Sequence, residues 1–145
     1  MSTSPNPFLS GNFAPSTEEV VTECTPLEGK VPTDIEGSFL RNGPNPDLEP
    51  AIPGLYHPFD GDGMVHSLSF EGGRLTYRNR WIETAGLQRE REAGKALWGG
   101  FLSAGKVMPP ADMPAKNAAN TALVWHAGRL LALFEGGSPH ELELP

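Results

Sequence analysis

Residues 64–81, MVHSLSFEGGRLTYRNRW, constrain the fold more than any other stretch of the chain. In an extended backbone Met64, His66, Leu68 and Phe70 share one face, and Val65, Ser67 and Ser69 take the other. Glu71-Gly72-Gly73 then reverses the chain, and Leu75, Tyr77 and Trp81 resume the period of two. A helix would scatter these side chains around its circumference, so the segment reads as an antiparallel β-hairpin. A second hairpin is expected where Thr121, Leu123 and Trp125 alternate, Ala127-Gly128 turns, and Leu131 and Leu133 alternate on the return. The Ala-rich approach from Ala115 has some helical character, but Gly128 and the β-branched neighbours favour strands. Only Arg89–Leu97, within QREREAGKAL, reads as helix.

Gly and Pro fill 32 of the 145 positions and are spread along the chain, which implies many short elements joined by turns. Residues 1–17, rich in Ser, Pro and Asn, read as an extended tail, and residues 18–145 as one unit. Between Val20 and Gly43 short strand candidates are broken by Pro26, Pro32 and Gly37 and end in EGSFLRNGPNP, residues 36–46. His140–Pro145 alternates polar and apolar residues like a strand in progress. A meander stopping there would leave an unpaired edge and an uncovered apolar face, so the expectation is the N-terminal part of a larger all-β protein.

The net charge of −7 excludes a basic surface for nucleic acid or anionic lipid. The lone cysteine, Cys24, cannot form an internal disulfide, and MSTSPNPFLSG has neither the basic start nor the apolar run of a secretory signal. The expectation is a cytoplasmic protein, with peripheral membrane contact left open. Cys24 has no basic or histidine neighbour in sequence and is read as a small packed residue.

LYHPFDGDGMVHSLSF, residues 55–70, gathers histidine and aspartate as a metal site would. A calcium loop beginning at Asp60 would need an oxygen ligand at its fifth position and glycine at its sixth, where Met64 and Val65 stand. Asp60, Gly61, Asp62 and Gly63 are therefore read as turn chemistry, the aspartates capping backbone and the glycines supplying positive φ. Arg41, Asn42 and Asn45 are expected to tie loops together through side-chain hydrogen bonds.

EGSFLRNGPNP, YHPFDGDGMVHSLSF, LTYRNRW and NTALVWHAGRLLALFEGGSPHEL, in this order, resemble the N-terminal part of the carotenoid cleavage oxygenases. That family includes apocarotenoid- and stilbene-cleaving enzymes and the vertebrate retinoid isomerase. The resemblance implies the N-terminal portion of a seven-bladed β-propeller holding Fe(2+) through four histidines. It implies dioxygen as co-substrate and cleavage of a conjugated C=C bond in an apolar tunnel. The four histidines here, His57, His66, His126 and His140, match none of the family's ligand motifs, so no metal ligand is assigned and the iron ligands are expected beyond Pro145. His57 and His140 are read as loop residues, and His66 and His126 as strand residues hydrogen-bonded to neighbours.

The resemblance makes Glu135 the carboxylate that accepts a hydrogen bond from an iron-bound histidine. From the residues alone, Glu135 either interrupts an apolar strand on the face of Leu131 and Leu133, where an unpaired carboxylate would be costly, or is a strand-end glutamate exposed at the Gly136-Gly137 turn. Phe59, Phe101 and Phe134 match substrate-tunnel positions, with core packing as the alternative. Stilbene-cleaving relatives tend to place a tyrosine and a lysine where Phe101 and Phe134 stand, so two phenylalanines favour carotenoids or apocarotenoids. Two other readings stay open at this point: a hydroxystilbene-cleaving dioxygenase, and a non-catalytic truncated propeller piece acting as a binding module.

Overall fold

The computed structural model describes residues 6–143; expectations for residues 1–5, Leu144 and Pro145 fall outside them. Two antiparallel sheets account for the strands. The first has the order β1-β4-β3-β2, formed by β1 (Val21–Glu23), β2 (Gly37–Pro44), β3 (Gly63–Glu71) and β4 (Arg74–Trp81). The second, β5-β6-β7, comprises β5 (Ala122–His126), β6 (Arg129–Leu133) and β7 (His140–Leu142).

The β3–β4 hairpin follows the alternation of its sequence, with Leu68 opposite Tyr77, Phe70 opposite Leu75, and Glu71 opposite Arg74 at the turn. Gly72 and Gly73 both adopt positive φ, 55° and 84°, which a tight two-residue hairpin turn demands. The β5–β6 turn uses the same geometry with Ala127 at φ 49° ahead of Gly128 at 79°. A left-handed alanine is strained where asparagine is tolerated. Ala127→Asn is therefore expected to raise stability by about 0.5–1 kcal/mol, read as a higher urea midpoint. An unchanged or lower midpoint would contradict the strain.

The helix is α1, Ala85–Ala93, displaced toward the N-terminus from the expected Arg89–Leu97. Thr84 caps it by accepting the Leu87 N–H at 3.2 Å, and Gly94 ends it in the left-handed region at φ 65°. Its fully buried Leu87 packs with Met64 and Trp81 in one small core. A second core joins the sheets through Ile82, Ala119 and Ala132, with Val65, Leu123 and Leu142 against it.

Several other expectations are refined. Residues 7–13 form two 3-10 turns, and Asn6 donates to the carbonyls of Pro53 and Tyr56, so this part of the tail is tied down. Gly61 and Gly63 do not supply positive φ. They are required because a Cβ at Gly61 would come within 2.7 Å of the Asn45 nitrogen, and one at Gly63 would overlap the Ala119 carbonyl. Asn42 and Asn45 do bridge segments, to Ala119 and Ser16, whereas Arg41 is exposed opposite His66. His140 opens β7 and is not in a loop, and β7 is the edge of its sheet. Cys24 is free and half-buried. Among the described residues no helix is long and apolar enough to cross a membrane.

Candidate active site

Between α1 and β5 the chain runs from residue 94 to 121 without a regular element, and it folds over one end of the first sheet. Long irregular stretches of this kind are unusual in compact domains and are commonly functional. Under it lies a cleft of about 600 Å³ that brings Phe59, Phe101, Phe134 and Glu135 together with Tyr56 and Trp98. The four residues singled out from the sequence thus meet at one place, although they come from three separate segments. Phe59 and Phe101 form the rim, each nearly three-quarters exposed, at 72% and 74%. Phe134 also lines the cleft and is half-buried.

Each aromatic is placed by a specific contact. Phe59 sits in a 3-10 turn, Pro58–Asp60, whose first amides are capped by His57 and Asp60, and its carbonyl accepts from Asn120 at 2.8 Å. The His57 ring lies between Phe59, at 4.7 Å in an edge contact, and Phe101, at 5.5 Å. Trp98 is held by its indole N–H, which donates to the Met113 carbonyl at 2.9 Å.

Glu135 takes the exposed strand-end position that the residues alone offer, and not a place within the strand on the face of Leu131 and Leu133. β6 ends at Leu133, so Glu135 lies past the strand, in the turn closed by Gly137 N–H to the Phe134 carbonyl, and it is exposed. Its Oε2 accepts the Thr121 hydroxyl at 2.9 Å. Thr121 is brought there because its N–H extends the β5–β6 ladder to the Leu133 carbonyl. In the sequence Thr121 shows only as a residue of the strand alternation. The hairpin register was the signal that would have set it beside Glu135.

The floor of the cleft is charged. Lys116 forms ion pairs with Asp62, at 2.5 Å, and with Glu90, and all three side chains are at most 13% exposed. The Lys116 stem passes over Gly86 of α1, where a Cβ would meet its Cγ at 2.7 Å. Desolvation by burial opposes the lysine's charge, but the attraction of two carboxylates outweighs it and holds its pKa above the usual 10.5. Burial raises the Asp62 pKa, with Lys116 opposing, as expected when two carboxylates share one ammonium group. Tyr56 beside them is pushed upward, first by burial and then by Asp60 and Asp62, so its phenol stays protonated.

A group whose folded pKa is raised contributes stability that is complete below its unfolded value and is lost as pH rises through the folded one. The trio is accordingly expected to hold up to about pH 10.5 and to open above it, seen as a fall in unfolding free energy. The same fall in a Lys116→Met variant would assign it to other groups.

The two strand histidines are not part of the cleft lining. His66 Nδ1 pairs with the Tyr77 hydroxyl at 2.7 Å, and burial, helped by the charge of Arg41, lowers its pKa. His126 is exposed at the end of β5. Among the described residues, no three His, Cys, Asp or Glu side chains are grouped to hold a metal ion.

A family model described as retinal pigment epithelial membrane protein matches residues 13–145. The chain belongs to that family, the carotenoid cleavage oxygenases. It is 37% identical over 158 residues to the carotenoid 9,10(9′,10′)-cleavage dioxygenase 1 of Phaseolus vulgaris, matching 97% of this chain and 28% of the relative. The lignostilbene dioxygenase of Pseudomonas brassicacearum superposes with a TM-score of 0.81 at 33% identity, covering 96% of this chain and 29% of that one. The Synechocystis apocarotenoid oxygenase superposes with a TM-score of 0.73 at 37% identity, covering 89% and 28%. Structures of this last protein include a glutamate-to-glutamine variant, a threonine-to-alanine variant changed fourteen positions earlier, and a cobalt-substituted form. The chain spans less than a third of the length of each of these oxygenases.

Proposed function

We propose that this carotenoid-oxygenase chain supplies the first blades of a propeller and one wall of an apolar substrate site. The polypeptide that contains it would use Fe(2+) and dioxygen to cleave a C=C bond of a carotenoid or apocarotenoid. The observation that carries the reading is the convergence of Phe59, Phe101, Phe134 and Glu135 on one cleft. Aromatic walls suit a long conjugated hydrocarbon because they bury it without asking for hydrogen bonds.

The iron ligands are proposed to lie outside this chain. What the described residues offer is an outer carboxylate. Glu135 lines the cleft and has one oxygen engaged by Thr121, which leaves the other to accept from a ligand histidine. Thr121 and Glu135 are fourteen positions apart, the spacing of the threonine and glutamate altered in the Synechocystis structures. When bound, the iron supplies the dioxygen chemistry; this chain's residues seat the substrate and exclude water around it.

The similarity to a lignostilbene dioxygenase supports a second reading, cleavage of a hydroxystilbene. Phe101 and Phe134 oppose it, since neither can partner a phenol hydroxyl. Products formed from an apocarotenal and from a hydroxystilbene by the natural iron-loaded polypeptide separate the two. Carbonyl fragments from the apocarotenal are expected, and turnover of the stilbene alone would reverse the assignment. Phe134→Lys is expected to lower kcat/KM for the apocarotenal by about tenfold or more, because it places a charge in the apolar wall. Full activity would remove Phe134 from the substrate surface.

A further inference from the structure

The long segment over the cleft is fastened at its base by Glu90, whose Oε1 accepts the Leu97 N–H at 2.7 Å, and at its far end by Lys116. Its middle, which carries Phe101, is held by a different group. Asp60 Oδ1 accepts the Phe101 N–H at 2.7 Å, and Asp60 Oδ2 accepts the His57 N–H at 2.9 Å. One carboxylate thus joins the turn bearing Phe59 to the segment bearing Phe101, using both oxygens as acceptors. Gly100 is part of the same arrangement: a Cβ there would overlap the Asp60 carboxylate. The Gly100 N–H is taken by the Ser103 hydroxyl at 2.7 Å, and the Ser103 N–H returns to the Gly100 carbonyl, so the backbone presents the Phe101 amide to Asp60.

We infer that Asp60 is a positioning residue for substrate: by clamping Phe101 against His57, whose ring packs on Phe59, it sets the mouth of the aromatic cleft and hence the affinity for an apolar, conjugated ligand. The inference rests on the reading of the cleft as the substrate site. It differs from a simple turn role because the capping of His57 needs only one oxygen, and the second is committed to a residue 41 positions away. A carboxylate can serve two N–H donors at once, whereas an amide of the same shape can serve only one.

The test is Asp60→Asn in the complete natural iron-loaded polypeptide, with Gly100→Ala as a second variant that displaces the carboxylate from the opposite side. Hydrogen exchange of the peptide covering residues 99–103 and the kinetics of apocarotenal cleavage are measured together. Loss of one charge-assisted hydrogen bond is expected to raise exchange in that peptide, and KM with it, by about tenfold, with kcat, iron content and exchange in β3 and β4 near wild type. Faster exchange with an unchanged KM would reduce Asp60 to a structural tie and overturn the inference. Unchanged exchange would overturn it as well. A folded wild-type protein that cleaves no apocarotenal would overturn the proposed function and this inference with it, whereas active wild type with unaffected variants defeats the inference alone.

Discussion

Lys116→Met is expected to destabilise the protein by about 3–5 kcal/mol, the cost of leaving buried carboxylates without their cation. Asp62 and Glu90 are 6% and 4% exposed at their side chains, and each forms an ion pair with the Lys116 ammonium. Glu90 retains the Leu97 N–H after the substitution, and Asp62 has only a long contact from the Asp47 N–H at 3.5 Å. Neither is enough to replace a lost counter-charge. The three residues come from the turn before β3, from α1 and from the segment leading into β5, so the damage spreads through all the elements that frame the cleft. Adding Asp62→Asn and Glu90→Gln to Lys116→Met is expected to recover most of the loss, since neutral groups no longer demand a cation. Unfolding in urea reads both effects. A single variant within about 1 kcal/mol of wild type would show that solvent reaches the trio.

Glu135→Gln is expected to reduce iron occupancy or turnover of the natural polypeptide by about 10- to 100-fold while leaving its unfolding curve unchanged. The stability half follows from position: Glu135 is exposed in a turn, and its hydrogen bond to Thr121 can be made equally by an amide oxygen. The functional half follows from charge. A carboxylate holds the proton of a ligand imidazole in place and raises its donor strength, and a neutral amide does this poorly. Iron analysis beside steady-state kinetics separates the two halves. Unchanged iron and turnover would remove Glu135 from the metal's surroundings.

Both hairpins were legible because a single period governs them: the side chains of β3 and β4 alternate without interruption, and glycines mark the reversals. The helix was misplaced because QREREAGKAL is rich in helix-forming residues, whereas the deciding signals were Thr84 as cap and Gly94 as stop. Reading Gly61 and Gly63 as positive-φ residues failed for a different reason. Their lack of a side chain serves contacts with Asn45 and Ala119, which only the tertiary structure brings near. The aromatic positions and Glu135 came from family resemblance and not from periodicity. Thr121, Asp60 and the Lys116 trio escape a sequence reading because their partners lie 14 to 54 positions away, beyond what local spacing reports.

In the proposed function, the cleft shared by Phe59, Phe101, Phe134 and Glu135 faces the metal of an oxygenase. A crystal structure of the natural polypeptide loaded with iron tests it most directly. The Glu135 oxygen not engaged by Thr121 is expected to accept the N–H of an iron-bound histidine, with the three phenylalanines walling the approach to the metal. An iron centre elsewhere, with Glu135 hydrogen-bonded only to Thr121 and facing solvent, would contradict it.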